Sequence, residues 1–365
     1  MIIGIDASNI RTGGGKKHLI NFINYSLENN SNLKFVLISN YYIIKSFSKN
    51  KRVQCHTNLL LNSFNFLSFL SQIIFSSYYL KKNNCEMVFV PGGIFLGNFK
   101  PIFSMSQNML PFEPAQLKDF KFIKKLKFNL MRALQLYTFK KSKGVIFLTD
   151  YAKAKINEYI DLKNNSIVIP HGVDKQSINH YNFNKEKFNI LYVSDFLPYK
   201  HNYNVVKAIS ELILEGYSLD LTLIGKKDVY QYGKIYNIIN NHSKLKNRIN
   251  IMGQLDNTVV QSYYRNSSMF LFASTCENLP FILLEAMSFG LPIISSDKRP
   301  MRDMLSGKNI FFDSTNIESI KKVIIKNLSE DKCLKMSSLN FKLSNLYLFE
   351  TNAQDTLNFF KKMTS

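Results

Sequence analysis

The residues best suited to chemistry lie in one stretch, Glu277-Asn278-Leu279-Pro280-Phe281-Ile282-Leu283-Leu284-Glu285-Ala286-Met287-Ser288-Phe289-Gly290-Leu291-Pro292. Proline is tolerated at a first helical position and glycine stops a helix, so the spacing predicts a helix from Pro280 to just before Gly290. Glu277 then sits in the loop at the helix mouth and Glu285 inside the helix. By helical rise the two carboxylates are at most about 12 Å apart, a reach suited to the sugar and ribose ends of one nucleotide-sugar. Between them, N–H groups of the helix start would face a diphosphate. The plain alternative is that both glutamates are solvated helix charges. Near the N-terminus, Gly13-Gly14-Gly15 follows a short strand and precedes a helix expected to begin near Lys16. Its backbone N–H groups could approach an anion closely. The run is neither G-x-G-x-x-G nor a P-loop, and a flexible turn is the alternative.

The Glu-x7-Glu pattern followed by Ala-Met-x-x-Gly-x-Pro resembles the retaining GT-B glycosyltransferases of family 4, the glycosyl transferases group 1. The likeness extends along the chain: the glycine-rich loop, Ile169-Pro-His-Gly-Val-Asp174, Tyr192-Val-Ser-Asp-Phe-Leu-Pro-Tyr-Lys200, and Arg299-Pro-Met-Arg-Asp303. The resemblance implies that Glu285 holds the ribose hydroxyls of the donor and that Glu277 contacts the transferred sugar. Lys200 would neutralise the diphosphate as the glycosidic bond breaks, where oriented positive charge stabilises the transition state most. Asn278, Leu279, Pro280 and Phe281 would line the sugar pocket, with Pro280 offering only its carbonyl, and Gly14 and Gly15 would approach the donor from the first domain.

Two departures from the family pattern matter. Asp195 stands where many members carry an arginine, so the usual pair of cations is incomplete. Lys226, Lys227 and Arg265 are candidates to replace it, with Lys226 preferred because Leu221-Thr-Leu-Ile-Gly225 places it at the carboxyl end of a strand. On the acceptor side, Gln107-Asn108-Met-Leu-Pro111 replaces a His-Asp-x-x-Pro pattern. Gln107 cannot exchange a proton at neutral pH, yet it can hydrogen-bond the acceptor or the sugar. His18 and His201 could serve instead, although a structural or surface place is the commoner use of such histidines. No Asp-x-Asp occurs, so the expectation is metal independence and no cofactor beyond the donor itself. In the mechanism that the resemblance implies, the leaving diphosphate accepts the acceptor's proton and front-face attack retains the anomeric configuration.

The elements that must position these residues follow a repeating rhythm. Apolar, β-rich runs at Ile2–Asp6, Phe35–Ile38, Met87–Val90, Pro101–Ser106, Val145–Leu148 and Ile167–Ile169 alternate with helical stretches, the pattern of a parallel sheet covered on both faces. After a polar stretch from about Asp174 to Lys187 the rhythm restarts at Ile190–Val193, Leu219–Ile224, Ile249–Met252, Met269–Ala273 and Pro292–Ser295. This predicts an α/β chain of two doubly wound, Rossmann-like domains facing a central cleft, the GT-B arrangement. The acceptor-binding domain would span 1–180 and the nucleotide-sugar-binding domain 181–345, with a helix over 346–365 packing back on the first.

Composition bounds the rest. Of 365 residues, 45% are hydrophobic and 13% aromatic, which excludes a disordered or fibrous chain. Cys55, Cys85, Cys276 and Cys333 are widely spaced and suggest neither a disulfide framework nor a zinc site. The N-terminus does not read as a signal peptide. The apolar region Leu59–Leu80 is too interrupted for a transmembrane span and reads as a core or interfacial helix. A net charge of +21 points to an anionic partner, unless it is compositional drift. Between Leu117 and Lys143, Ile123, Leu126, Leu130, Leu134 and Tyr137 make one helix face while lysines decorate the remainder. Two readings are open: a basic amphipathic helix on an anionic bilayer, or a solvated helix packed on the sheet through that stripe.

Taken together, the sequence predicts a transferase moving a hexose-type sugar from a UDP- or GDP-sugar to a hydroxyl of a glycan acceptor. A lipid-linked glycan of O-antigen, capsule or lipopolysaccharide assembly is favoured, at the inner face of the cell membrane in a cytoplasmic, peripheral setting. The rivals are a nucleotide-sugar epimerase on the same fold, for which no acid/base pair is evident, and a nucleic-acid-binding protein. Only charge suggests the latter, since no recognisable nucleic-acid-binding signature occurs.

Overall fold

The computed structural model describes residues 1–11, 13–62, 69–162, 165–176, 181, 183, 188–227, 229–307 and 310–364, with backbone alone at 229–231. The chain forms two compact units, Met1–Gly172 joined by Leu348–Ser365, and Val173–Tyr347. The first unit thus ends before the expected boundary at 180, a position outside the described residues, as is much of the polar stretch expected to connect the domains. Among the described residues, no helix is long and apolar enough to cross a membrane.

In the first unit, β1 (Ile2–Asp6), β2 (Lys34–Ile38), β3 (Val53–His56), β4 (Met87–Val90), β5 (Ile102–Met105), β6 (Gly144–Phe147) and β7 (Ser166–Val168) form one sheet in the order β3-β2-β1-β4-β5-β6-β7. Every described pairing is parallel, with Ile2 opposite Lys34 and Ile3 opposite Met87. Strands such as β4 are buried along their whole length, the reason they read as unbroken apolar runs. The strand order reverses between β1 and β4, so the loops leaving these two strands diverge to opposite faces and leave a crevice at their carboxyl ends.

Asp6 closes β1 with a fully buried carboxylate that accepts hydrogen bonds from Ser8 Oγ at 2.6 Å, Ser76 Oγ at 2.7 Å and Gln72 Nε2 at 3.1 Å. Burial raises its pKa, and these donors oppose the rise. The network ties the loop after β1 to the segment Gln72–Ser76. The following helix runs Gly13–Glu28, so the three glycines are its first turn and not a loop before Lys16, as the poor helix propensity of glycine suggested. In the 59–80 region, helical turns occupy Leu59–Asn62, Gln72–Ser76 and Ser77–Lys82, and residues 63–68 lie outside the described residues.

The basic helix spans Phe122–Lys141 and is buried at Gln135, Thr138 and Phe139. Its expected core stripe faces solvent instead, with Ile123, Leu126, Leu130 and Tyr137 all exposed. The physical reason is a polar attachment that periodicity does not report. Thr138 Oγ1 accepts from Phe95 N at 2.9 Å and bonds back to Leu134 O at 3.0 Å, which turns the Thr138 side of the helix inward. The last helix, Phe349–Thr364, packs into this same unit, with the Phe360 ring 5.3 Å from Phe89 and 4.6 Å from Phe103.

In the second unit, β8 (Phe188–Val193), β9 (Leu219–Ile224), β10 (Ile249–Gly253), β11 (Met269–Phe272), β12 (Ile293–Ser296) and β13 (Phe311–Phe312) form a parallel sheet in the order β10-β9-β8-β11-β12-β13. The reversal lies between β8 and β11, so this sheet is doubly wound like the first.

His18 and His171 meet inside the first unit, Nδ1 to Nδ1 at 3.1 Å, both buried. Such a bond needs one ring nitrogen with a proton and one without, so the accepting ring is neutral, and burial keeps its partner neutral too. Burial lowers the His18 pKa to about 3, and burial together with His18 lowers that of His171 well below the usual value. Below about pH 6.5 the unfolded chain therefore takes up protons that the folded chain refuses, and stability falls as pH drops. Thermal unfolding followed from about pH 7 down to about pH 5 should show a falling Tm, with a shallower slope in a His18→Phe variant. Equal slopes in the two proteins would contradict the assignment.

Candidate active site

The second unit brings together the residues that the sequence singled out there. The Val193–Lys200 loop leaves β8, and the Ala273–Glu277 loop leaves β11, its neighbour across the switch point. The two loops are stitched by Thr275 N donating to Tyr199 O at 2.9 Å and by His201 Nε2 to Thr275 Oγ1 at 3.2 Å. Tyr192, buried in β8, donates its hydroxyl to Lys200 O at 2.5 Å. His201 adopts a left-handed conformation at φ 52° and opens the helix Asn202–Leu214. It is bound to the loop scaffold, which is a structural place.

Held this way, Lys200 and Glu277 form an ion pair, their side chains only 11% and 14% exposed. The ammonium also lies over the rings of Tyr199 and Phe272, at 5.2 Å and 5.6 Å from their centroids. In so sheltered a place an oxyanion interacts with the ammonium far more strongly than in water. A cavity of about 340 Å³ opens beside them, lined by Ser194, Asp195, Tyr199, Lys200, Gly225, Gln254, Leu255 and Ile282, among others. Its floor crosses the carboxyl ends of β8, β9 and β10. Gly225 is required there: at φ +155° any Cβ would sit 2.1 Å from Ser194 O.

The helix of the two glutamates runs Phe281–Ser288. Pro280 is one residue outside it, an N-cap in extended conformation, and not its first helical residue. Its carbonyl accepts from Leu283 N at 3.1 Å and Leu284 N at 3.2 Å, so the atom expected to face the sugar pocket is engaged in the helix's first turn. The other end closes as a Schellman motif: Gly290 at φ +68° donates to Met287 O at 2.9 Å, and Leu291 N to Ala286 O at 3.0 Å. Glu285 is buried and its Oε2 accepts from Tyr264 Oη at 3.2 Å. Burial, and then the Glu285 charge, raise the Tyr264 pKa well above its usual value, which keeps that hydroxyl protonated as a donor. Asn278 and Leu279 are buried, and Phe281 is half-buried.

Sequence reasoning missed Tyr264, Thr275, Gln254 and Leu255. The last two follow the end of β10, and the argument that favoured Lys226, a position just past a strand's carboxyl end, applies equally to them. Nothing in the sequence pairs Tyr264 with Glu285. Asp195 Oδ1 accepts from Lys226 N at 2.8 Å, so Asp195 fixes the Lys226 backbone while the lysine side chain is exposed. Lys227 stacks over Tyr232 at 4.6 Å and Arg265 over Phe289 at 5.1 Å.

In the first unit, Gln107 Oε1 lies against Gly15, 2.9 Å from where a Cβ would stand, and its Nε2 donates to Met105 Sδ at 3.4 Å. Gly14 is half-buried in the same helical turn. Asn108 Oδ1 accepts from Leu110 N at 3.1 Å and shapes the turn that follows β5. His18 is fully buried against His171, so the candidate acceptor-side histidine is a packing residue in this structure. Burial excludes it from contact with an acceptor.

These two parallel-sheet units have the GT-B glycosyltransferase fold. HepE from Anabaena, solved with UDP-glucose, matches with a TM-score of 0.73 over 99% of this chain and 100% of its own, at 12% identity. Residues 173–340 match the family model for glycosyl transferases group 1. In Staphylococcus aureus, the protein CapJ is 26% identical over 161 residues, and the capsular polysaccharide biosynthesis glycosyltransferase CapH is 29% identical over 151 residues. These matches cover 42% and 41% of this chain, which spans only 39% and 40% of the relatives' lengths.

Removing one member of the Lys200–Glu277 pair leaves a sheltered charge uncompensated, whereas removing both does not. In a double-mutant cycle of Lys200→Met and Glu277→Gln, urea denaturation should therefore give a coupling energy within about 0.5–3 kcal/mol. A coupling indistinguishable from zero would mean that the contact carries no energy in solution.

Proposed function

We propose that this protein is a retaining, metal-independent glycosyltransferase that moves a hexose-type sugar from a UDP- or GDP-sugar to a hydroxyl of a lipid-linked glycan in surface-polysaccharide assembly. The observation that carries the reading is the sheltered Lys200–Glu277 pair at the switch point of the second sheet, beside a cavity at the strands' carboxyl ends. In the absence of donor the ammonium holds a carboxylate oxygen. A diphosphate presents the same kind of oxyanion to the same ammonium, and its arrival would release Glu277 towards the sugar. Glu285, one helix length away, would receive the ribose hydroxyls with its orientation set by Tyr264. Lys226 would supply a second cation from a backbone position that Asp195 fixes, and Gln107 would hydrogen-bond the acceptor or sugar.

Charge development on the leaving diphosphate is greatest in the transition state, so a fixed ammonium there accelerates bond breaking more than it tightens ground-state binding. The released phosphate oxygen can then take the acceptor's proton on the face it has just left, which retains the anomeric configuration. Lysine and the helix N-terminus supply the positive charge in this scheme, with no Asp-x-Asp to carry a metal ion. The family match over the donor unit supports the reaction class. Likeness to CapH supports a polysaccharide acceptor, and the HepE complex supports UDP as the nucleotide.

A thermal-shift panel of UDP- and GDP-sugars tests the proposal directly. The right donor at 100 times its Kd should stabilise the protein by about 2.7 kcal/mol, and Glu285→Ala should diminish that shift. In steady-state transfer assays, Lys200→Ala should lower kcat by roughly 10²–10³-fold, with a smaller change in KM. Activity should persist in excess EDTA. Failure of every nucleotide-sugar to stabilise the protein would overturn the reading, and wild-type turnover in folded Lys200→Ala would remove Lys200 from the site.

A further inference from the structure

The Phe122–Lys141 helix carries its apolar face outward. From Phe122 to Leu134 it has no buried residue, and its inward contacts are made by Gln135, Thr138 and Phe139. At 3.6 residues per turn, Phe122, Ile123, Leu126, Leu130 and Tyr137 fall within one arc of roughly 100°. An arc of that width is what a helix normally turns towards a core. Here Phe122 is 79% exposed, Ile123 80%, Leu126 60% and Leu130 52%. Four large side chains in register on free helical turns form a continuous apolar ridge, unlike the scattered single residues found on any surface.

The ridge is bordered by one sign of charge. At 3.6 residues per turn Lys127 and Lys141 fall along one edge of it and Lys140 and the half-buried Lys125 along the other, and the helix contains no aspartate or glutamate. At its far end, Lys100, Lys141 and Lys143 line a hollow of about 380 Å³, continuing the positive border. An apolar ridge rimmed by ammonium groups matches a surface whose interior is hydrocarbon and whose edge is anionic. A second copy of the chain is a poor occupant, because it would set lysine against lysine between molecules that each carry a net charge of +21.

We propose that this face is a membrane-docking surface: the ridge from Phe122 to Leu130 seats among the outer acyl segments of an anionic bilayer, with its bordering lysines at the level of the lipid phosphates. Apolar insertion and charge act together here, since neither alone gives firm interfacial binding of a short helix. The inference rests on the surface of the first unit and is independent of sugar transfer, which rests on the second.

The chain contains no tryptophan, so Leu126→Trp places a single reporter on the ridge of the intact protein. Its emission should shift to the blue with vesicles of mixed phosphatidylglycerol and phosphatidylcholine, and lipids brominated along their acyl chains should quench it. Phosphatidylcholine alone should leave it unchanged. Replacing Ile123, Leu126 and Leu130 together with serine should reduce co-sedimentation with the mixed vesicles at least about tenfold, while Tm and the UDP-sugar thermal shift stay as in the wild type. Lys125→Gln, Lys127→Gln and Lys140→Gln together should weaken binding and flatten its dependence on salt, which shortens the Debye length from ~10 Å at 0.1 M to ~3 Å at 1 M. No blue shift with anionic vesicles, or undiminished sedimentation of the serine variant, would overturn the proposal. So would self-association of the wild type that the serine variant abolishes, which would assign the ridge to a second copy.

Discussion

Strands β8 and β11 are separated in sequence by β9, β10 and the helices between them, yet they run side by side in the sheet of the second unit, because the chain builds outward on one side of β8 before returning to the other. The loops that leave their carboxyl ends are thereby pressed together, and neither can turn away into a helix of its own until it has passed the other. Lys200 and Glu277 are in contact for this reason. Their pairing is a consequence of winding, secured by the backbone bond from Thr275 to Tyr199 and by the Tyr192 hydroxyl on Lys200 O. An isolated surface pair of this kind is worth little. Here the rings of Tyr199 and Phe272 lie over the ammonium and both side chains are largely buried, so the pair is costly to break unless something anionic replaces the carboxylate.

The second glutamate depends on the first arrangement. The helix that carries Glu285 starts directly after the loop that carries Glu277, so the position of one determines where the axis of the other begins. Pro280 anchors that start through its own carbonyl, and the Schellman closure at Gly290 directs the chain into β12. A buried carboxylate needs donors. Tyr264, on a different helix, supplies one, which orients the Glu285 carboxylate.

How much of this was legible depended on the kind of signal. Buried parallel strands announce themselves as unbroken apolar runs, and both sheets were readable from residues such as Met87–Val90 and Met269–Phe272. Gly290 and Pro280 marked the helix to within one residue, because backbone conformation restricts which residues can stand there. The glycine turn was misplaced since propensity counts against three glycines in a helix, whereas tertiary contacts decide. The long basic helix misled more deeply. Its periodicity showed that an apolar face exists but carries no sign telling inside from outside, and the packing of Gln135, Thr138 and Phe139 on the other side of the helix settled the matter. Tyr264 was invisible for a related reason: a side-chain contact between two separate helices, here 21 positions apart, leaves no pattern in either. His18 was noticed for its chemistry and found to be packed away, its partner supplied by the Ile169-Pro-His-Gly motif 153 positions downstream.

The return of Leu348–Ser365 to the first unit has a consequence for how the molecule comes into being. The aromatic core around Phe89 and Phe103 is completed by Phe360, so residues 1–172 emerge from the ribosome lacking one wall of their own interior. That wall arrives only after the whole second unit has been translated, on the order of 10–40 s later at ordinary elongation rates. The first unit is therefore completed after the contiguous unit inserted within it, which has everything it needs to fold earlier. Until Leu348–Ser365 follows, a nascent chain of this kind carries an apolar groove open along its first sheet.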